Sequence, residues 1–136
     1  MKFSHYLIIL FSAVFLVSFS PKEFPEEKQS QRMQFLTAKP WKVYEVNVST
    51  FTYTDSISTG IEYTFSASGH CFVSTVDGNS GNVPWTFDAT EDNIILNQGT
   101  SEEITYKIAV LSNVNFSYKV IYLINGQNME YTYKLK

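Results

Sequence analysis

The chain predicts an all-β fold, an eight-stranded antiparallel meander closed into an up-and-down barrel and preceded by an apolar leader and a short helix. Three observations lead there. From Trp41 to Lys136 the sequence alternates apolar and polar residues in short stretches rich in Tyr and Phe, each ending in turn-forming residues. Helical periodicity is absent over the same span. The roughly 100 residues involved are too few for two layers that each keep one face bare, so curling one meander on itself both buries the apolar side and removes sheet edges. A two-sheet β-sandwich fits the same pattern and is the alternative architecture.

Residues 1–20 read as a signal peptide or an uncleaved N-terminal anchor. Met1-Lys2 gives a positive start, and Tyr6 to Phe19 forms a nearly unbroken apolar run that ends among the small residues Ser18 and Ser20. That run is short for a membrane span, which needs roughly 20 residues, and suits the apolar region of an export signal. A buried core helix would show a polar face, and none interrupts the run. Leu16-Val17-Ser18 matches the approach to a bacterial lipoprotein cleavage site, but Phe19 follows where a cysteine would be acylated. Cleavage after Ser20 has small residues at the right offsets, although Pro21 disfavours it. The expected location is therefore periplasmic or cell-envelope, with membrane tethering through an uncleaved N-terminus as one outcome.

Residues 21–34 form a charged tether, too poor in large apolar side chains to repay the entropy of ordering it. Its end, about Ser30 to Leu36, predicts a short helix with Met33 and Leu36 on one face, stopped by Pro40. Residues 35–136 are the barrel domain. Eight strands follow: Trp41 to Thr50, trailing into a looser Phe51–Asp55 stretch; Ile61 to Ser66; His70 to Val76; Val83 to Asp88; Asn93 to Asn97; Glu103 to Val110; Val114 to Ile124; and Gln127 to the end. Asp77-Gly78-Asn79-Ser80-Gly81 predicts a wide hairpin, and Asn125-Gly126 is the strongest two-residue hairpin signal in the chain.

Neighbouring strand residues point to opposite faces, so alternation names the inward set. Tyr63 and Phe65 share a face, as do Val83, Trp85 and Phe87. Ile104, Tyr106, Ile108 and Val110 form a third set, Phe116, Tyr118, Val120 and Tyr122 a fourth, and Met129, Tyr131, Tyr133 and Leu135 a fifth.

Leu36-Thr37-Ala38-Lys39-Pro40-Trp41-Lys42-Val43, then Tyr63-Thr64-Phe65-Ser66-Ala67-Ser68-Gly69 and Pro84-Trp85-Thr86-Phe87, resemble the small lipocalin-like domains of bacterial cell-envelope proteins. The resemblance spans about Leu36 to Lys136 and implies a barrel of ligand-binding ancestry. Two departures stand out. Lipocalins open with Gly-x-Trp, whereas Lys39 and Pro40 precede Trp41 here, and the arginine that their last strand packs over that tryptophan has only Lys134 and Lys136 as counterparts.

Composition narrows the function. The formal charge is −3, and −4 once residues 1–20 and their single charge, Lys2, are gone, which disfavours a nucleic-acid partner or anionic lipid surface. One cysteine, Cys71, makes neither an internal disulfide nor a multi-cysteine metal site, and reads as a small buried apolar residue. His70 and Cys71 are neighbours on a strand and face opposite ways, which argues against a nucleophile pair. Asp77, Asn79 and Gly81 copy only the front half of a calcium loop. Glu91-Asp92 and Glu102-Glu103 flank turns, where carboxylates usually solvate chain ends. Asn47-Val48-Ser49 and Asn115-Phe116-Ser117 have glycosylation spacing but fall in predicted strands. No catalytic, metal or cofactor site emerges, and the expected protein is no enzyme.

What remains is the inward aromatic set, Tyr63, Phe65, Trp85, Phe87, Tyr106, Phe116, Tyr118, Tyr131 and Tyr133. An eight-stranded barrel is either just filled by its side chains or holds one small ligand. The expectation is an exported barrel binding a small hydrophobic or amphipathic molecule against these rings. The alternative is an envelope structural or protein-interaction module whose barrel is packed solid.

Overall fold

The computed structural model describes residues 28–48 and 59–136, and the backbone of 51–53. The leader at 1–20 and residues 21–27 of the tether lie outside the described residues.

The first described element is helix α1, Gln31–Thr37. Seven residues are too few for a helix to persist alone, so its ends and its docking decide its existence. Ser30 caps it by accepting a hydrogen bond from the Met33 amide at 3.0 Å. Leu36 is fully buried, and Arg32 donates to the Glu91 carbonyl at 2.7 Å and sits 3.5 Å from the Asp92 carboxylate. Pro40 follows the helix, and the chain turns directly into the first strand.

Nine strands follow in chain order: β1 (Trp41–Val48), β2 (Phe51–Tyr53), β3 (Glu62–Phe65), β4 (His70–Ser74), β5 (Ser80–Phe87), β6 (Asn93–Leu96), β7 (Ile104–Leu111), β8 (Phe116–Ile124) and β9 (Gln127–Leu135). From β3 to β9 each strand pairs antiparallel with the next, β3 also pairs with β1, and β9 returns to β1 from Val43↔Leu135 to Val48↔Tyr131. The meander therefore closes into an eight-stranded barrel of β1 and β3–β9, and the sandwich alternative falls. Strand β2 is additional. Because β3 pairs only with Trp41 and Lys42, the upper edge of β1 would lie open, and β2 folds back on it from Val46↔Tyr53 to Val48↔Phe51.

Two register irregularities change which residues face inward. One lies between Val43 and Glu45, opposite β9. The other lies between Ile108 and Val110, opposite β8. An extra residue in one strand reverses the alternation beyond it, so Val110, expected inside, is 50% exposed, while Leu111 packs against the core. Ile104, also expected inside, is exposed at the start of β7. The Asn125-Gly126 turn behaves as expected: both residues take positive φ, 51° and 77°, as a two-residue primed hairpin requires, and β8 and β9 pair along their whole length to Ile124↔Gln127.

One end of the barrel is sealed. Leu36, Trp41, Phe116 and Leu135 are buried there, the Trp41 indole N–H donates to the Leu36 carbonyl at 2.9 Å, and Trp41 meets Phe116 edge-on at 5.6 Å between ring centres. The cation over Trp41 comes from Lys39, whose Nζ lies 4.5 Å from the ring centre. Lys134 instead pairs with Glu45 at 2.6 Å, and Lys136 lies over Tyr44.

Candidate functional site

Each of the nine predicted rings turns toward the interior, and the structure places them in two layers. Phe65, Trp85 and Phe116 lie toward the helix end and are buried. Phe65 meets Trp85 edge-on at 5.3 Å, and Trp85 meets Phe87 at 5.2 Å. The Trp85 indole N–H is shared between the Ser66 and His70 carbonyls, at 3.0 and 3.1 Å, which ties this ring to the β3–β4 turn. Phe87 is partly buried beside it.

The second layer is made of tyrosines. Tyr63, Tyr106 and Tyr118 are buried, with Tyr131 and Tyr133 partly buried against them. Tyr106 and Tyr118 stack at 4.1 Å, Tyr118 and Tyr133 at 5.0 Å. The hydroxyls of Tyr63 and Tyr118 are 3.0 Å apart. A buried phenol needs a partner, and this pair supplies one from within the core. Burial pushes the ionisation of Tyr63, Tyr106 and Tyr118 upward, and for Tyr106 and Tyr118 the proximity of Tyr63 adds to it; all three are neutral phenols at any ordinary pH. Ser117 is the one polar residue buried among the described residues, and no charged residue joins it.

The barrel wall parts above this layer. The β7–β8 ladder ends at Lys107↔Lys119, although β7 continues up to Ile104 and β8 up to Ile124. Continued pairing would set Tyr106 against Val120, Thr105 against Ile121 and Ile104 against Tyr122. Instead a cleft of about 420 Å³ opens between the strands, lined by Ile104, Thr105, Val120, Ile121 and Tyr122 and rimmed by Glu103, Lys107, Lys119 and Glu130. The physical cause is a mismatch of partners: β7 is held on its other side by the four-residue β6, up to Leu96↔Ile104, whereas β8 follows the nine-residue β9 to the hairpin tip.

None of the nine predicted rings lines this cleft directly. It leads to them through Tyr122, whose ring meets Tyr131 edge-on at 5.3 Å. Tyr131 stacks on Tyr133, and Tyr133 on Tyr118. Tyr122 is the residue that sequence reasoning misses as part of a site, although alternation turns it inward. No local pattern marks the parting of the wall, because β7 and β8 both carry alternating apolar residues past it.

Other recesses lie elsewhere among the described residues. A groove of about 620 Å³ lies where β1 leaves the approach to β3, between Lys42, Tyr44, Thr59, Gly60, Val76 and Lys136, and none of the nine rings lines it. A smaller one, about 350 Å³, lies against α1 between Met33, Gly69, Trp85, Phe87 and Glu91. Of these three, the cleft between β7 and β8 is the one that reaches the tyrosine layer, through the Tyr122 ring against Tyr131.

The remaining chemical candidates have structural duties. Cys71 is fully buried while His70 is exposed, so the two do not share a site. Asp77 accepts hydrogen bonds from the Thr75 hydroxyl and from Asn79 Nδ2, the latter at 2.7 Å, and fastens its own turn. Glu103 accepts from the Gly99 amide at 2.7 Å, and Glu91 has positive φ, 57°, inside the β5–β6 turn. No group of three or more His, Cys, Asp or Glu able to hold a metal ion occurs among the described residues.

The chain matches no protein-family model and no curated protein. Among solved structures it is similar to a bovine odorant-binding protein, a deswapped triple mutant, with 18% identity over 71% of this chain and 70% of that one and a TM-score of 0.44. The closed barrel described above rests on this chain's own strand pairing.

Proposed function

We propose that this protein is an exported, non-catalytic, lipocalin-like binding protein of the bacterial cell envelope that takes a small hydrophobic or amphipathic molecule through the cleft between β7 and β8. The observation that carries this reading is the parting of those two strands in a barrel sealed at its other end. The cleft, about 420 Å³, falls within the size range of small-molecule sites, roughly 300–1,000 Å³. Its inner wall is apolar and aromatic, with Ile104, Val120 and Tyr122 backed by Tyr131 and Tyr133. A ligand there would cover side chains that the fold leaves uncovered, and burying apolar surface is the main source of such affinity. An uncleaved leader at 1–20 would hold the barrel at a membrane, and the part of the charged tether that precedes α1 would give it reach.

The test is titration of the folded protein with N-phenyl-1-naphthylamine, an uncharged dye that brightens in apolar surroundings. Saturable one-to-one brightening is expected, and Ile104→Trp, which fills the cleft, should abolish it while the thermal melt stays cooperative. Absence of saturation in the unaltered protein, or equal binding by the filled variant, would rule the reading out.

A second reading has its own support. Ile121 and Leu123 point outward on β8 and are 62% and 73% exposed. The buried rings Tyr63, Phe65, Trp85, Tyr106, Phe116 and Tyr118 also suit a solid barrel. In that case the outer face of the β8–β9 arm would meet a protein partner, and the dye would find no site.

A further inference from the structure

We propose that the free edge of β8 is a self-pairing surface, along which two copies of this chain join antiparallel, centred where Tyr122 meets the partner's Tyr122. Above Lys119 the ladder to β7 is gone, and β8 keeps only β9 as a neighbour among the described residues. Residues in an antiparallel ladder alternate between bonding across it and turning their backbone groups to the far side. Counted from Ile124↔Gln127, the pair that closes the two-residue hairpin, Tyr122 and Ile124 bond to β9. Ile121 and Leu123 therefore hold their N–H and C=O groups toward the gap. Such an edge is a template for another strand, and proteins guard it with charge, proline or a bulge. Here Val120-Ile121-Tyr122-Leu123-Ile124 carries neither charge nor proline, its ladder with β9 runs without a bulge, and Ile121, Leu123 and Ile124 are exposed.

The occupant that fits is a second β8, because one register satisfies backbone, side chains and charge together. With the two-fold axis at Tyr122, Ile121 faces the partner's Leu123 and Leu123 the partner's Ile121, so every gap-facing backbone group of the two residues is bonded in both copies. On the outer face the same four side chains form one apolar patch, and on the inner face Val120 meets the partner's Ile124. Lys119 falls opposite the partner's uncharged Asn125 and keeps its own pairing with Glu130 at 2.8 Å, so no like charges meet. Moving the axis down to Ile121 would instead set Lys119 against the partner's Leu123. Pairing of one patch with its own copy closes after two chains. The contact rests on a short stretch of each strand, against roughly 20–30 residues a side in stable complexes, so the dimer is weak and dilution returns the open edge. It uses the stretch of β8 that lines the cleft, so the partner and a cleft ligand compete for that edge.

The experiment is sedimentation velocity of the full chain from about ten to several hundred micromolar, a range that brackets weak association. A reversible monomer–dimer equilibrium is expected. Leu123→Lys, at an exposed position, brings a second lysine beside the partner's Lys119 and should weaken it at least about tenfold while the melt is held. Register is read by mild oxidation of single-cysteine substitutions, with the native Cys71 buried and out of reach. Tyr122→Cys should bridge two chains readily, since opposed residues at that kind of ladder position have Cα atoms about 4.5 Å apart. Leu123→Cys should bridge poorly, because its copy lies on the diagonal, beyond the roughly 7 Å that a disulfide spans. A monomer at every concentration, a dimer equally tight in Leu123→Lys, or faster bridging at Leu123→Cys than at Tyr122→Cys would overturn the proposal. No dye enters these measurements, so failure of the dimer and failure of the binding reading are told apart.

Discussion

Cys71 shows how far a single residue's chemistry follows from its place on a strand. It pairs with Phe65 on one side and Val83 on the other, faces inward, and is fully buried, which pushes its thiol up to about 12. The thiolate is the reactive form, so the folded protein should resist a thiol-specific disulfide reagent between pH 7 and 9, reacting at least about a hundredfold more slowly than the urea-unfolded chain. Prompt stoichiometric modification of the folded protein would show that the core around Cys71 opens. The inward positions of Tyr63, Phe65 and Trp85 were legible because strand alternation is strict wherever the ladder is regular, and the burial of Cys71 because a free cysteine behaves as a small apolar residue. Lys39 was not legible as the cation over Trp41, because that contact depends on the angle at which the chain leaves α1, which no local pattern encodes.

At the level of elements, the β5–β6 turn is held by one carboxylate. Asp88 accepts from the Asn93 side chain at 2.7 Å, from the backbone amides of Asn93 and Asp92 at 3.1 and 3.0 Å, and from the Thr90 hydroxyl. Hydrogen bonds from Asn93 are the main reason its pKa lies below the usual carboxylate range. Because the folded value is the lower one, these bonds contribute fully above the ordinary aspartate value, about 3.9, and are lost as pH falls through the folded value. Hydrogen exchange at the Asp92 and Asn93 amides should therefore hold steady from pH 7 down to about 4, after correction for intrinsic rates, and rise below that. Asp88→Ala should show the raised exchange at every pH; an unchanged rate in that variant would mean that the turn holds itself without the carboxylate. The Asn125-Gly126 turn was readable beforehand because its dihedral angles admit few residue types. The irregularities at Val43/Glu45 and Ile108/Val110 were not. In the second, the run Ile108-Ala109-Val110-Leu111 is apolar on both faces and leaves the register to the partner strand. Strand β2 escaped for a similar reason: it exists to cover an edge that only the shortness of β3 creates.

Across the whole molecule, two seams decide what the barrel can do. The seam between β1 and β9 joins the first and last strands and completes the cylinder, and it was foreseeable from chain length and one-sided apolarity alone. The seam between β7 and β8 is complete only from Leu111↔Phe116 to Lys107↔Lys119, and sequence did not reveal it, because both strands carry alternating apolar residues well past the point of parting. A closed ladder protects every backbone amide, whereas β8 above Lys119 has a neighbour on the β9 side only. Alternate amides from Val120 to Ile124 should accordingly exchange with solvent far faster than those of Phe116 to Lys119, while Val46 and Val48, inside the other seam, should rank among the slowest. Bound ligand should slow the fast set, because an apolar body in the cleft excludes water from the open edge. Uniform protection from Phe116 through Ile124 in the free protein would mean that the wall is continuous, and the tyrosine layer would then lie behind a closed barrel with no way in from the side.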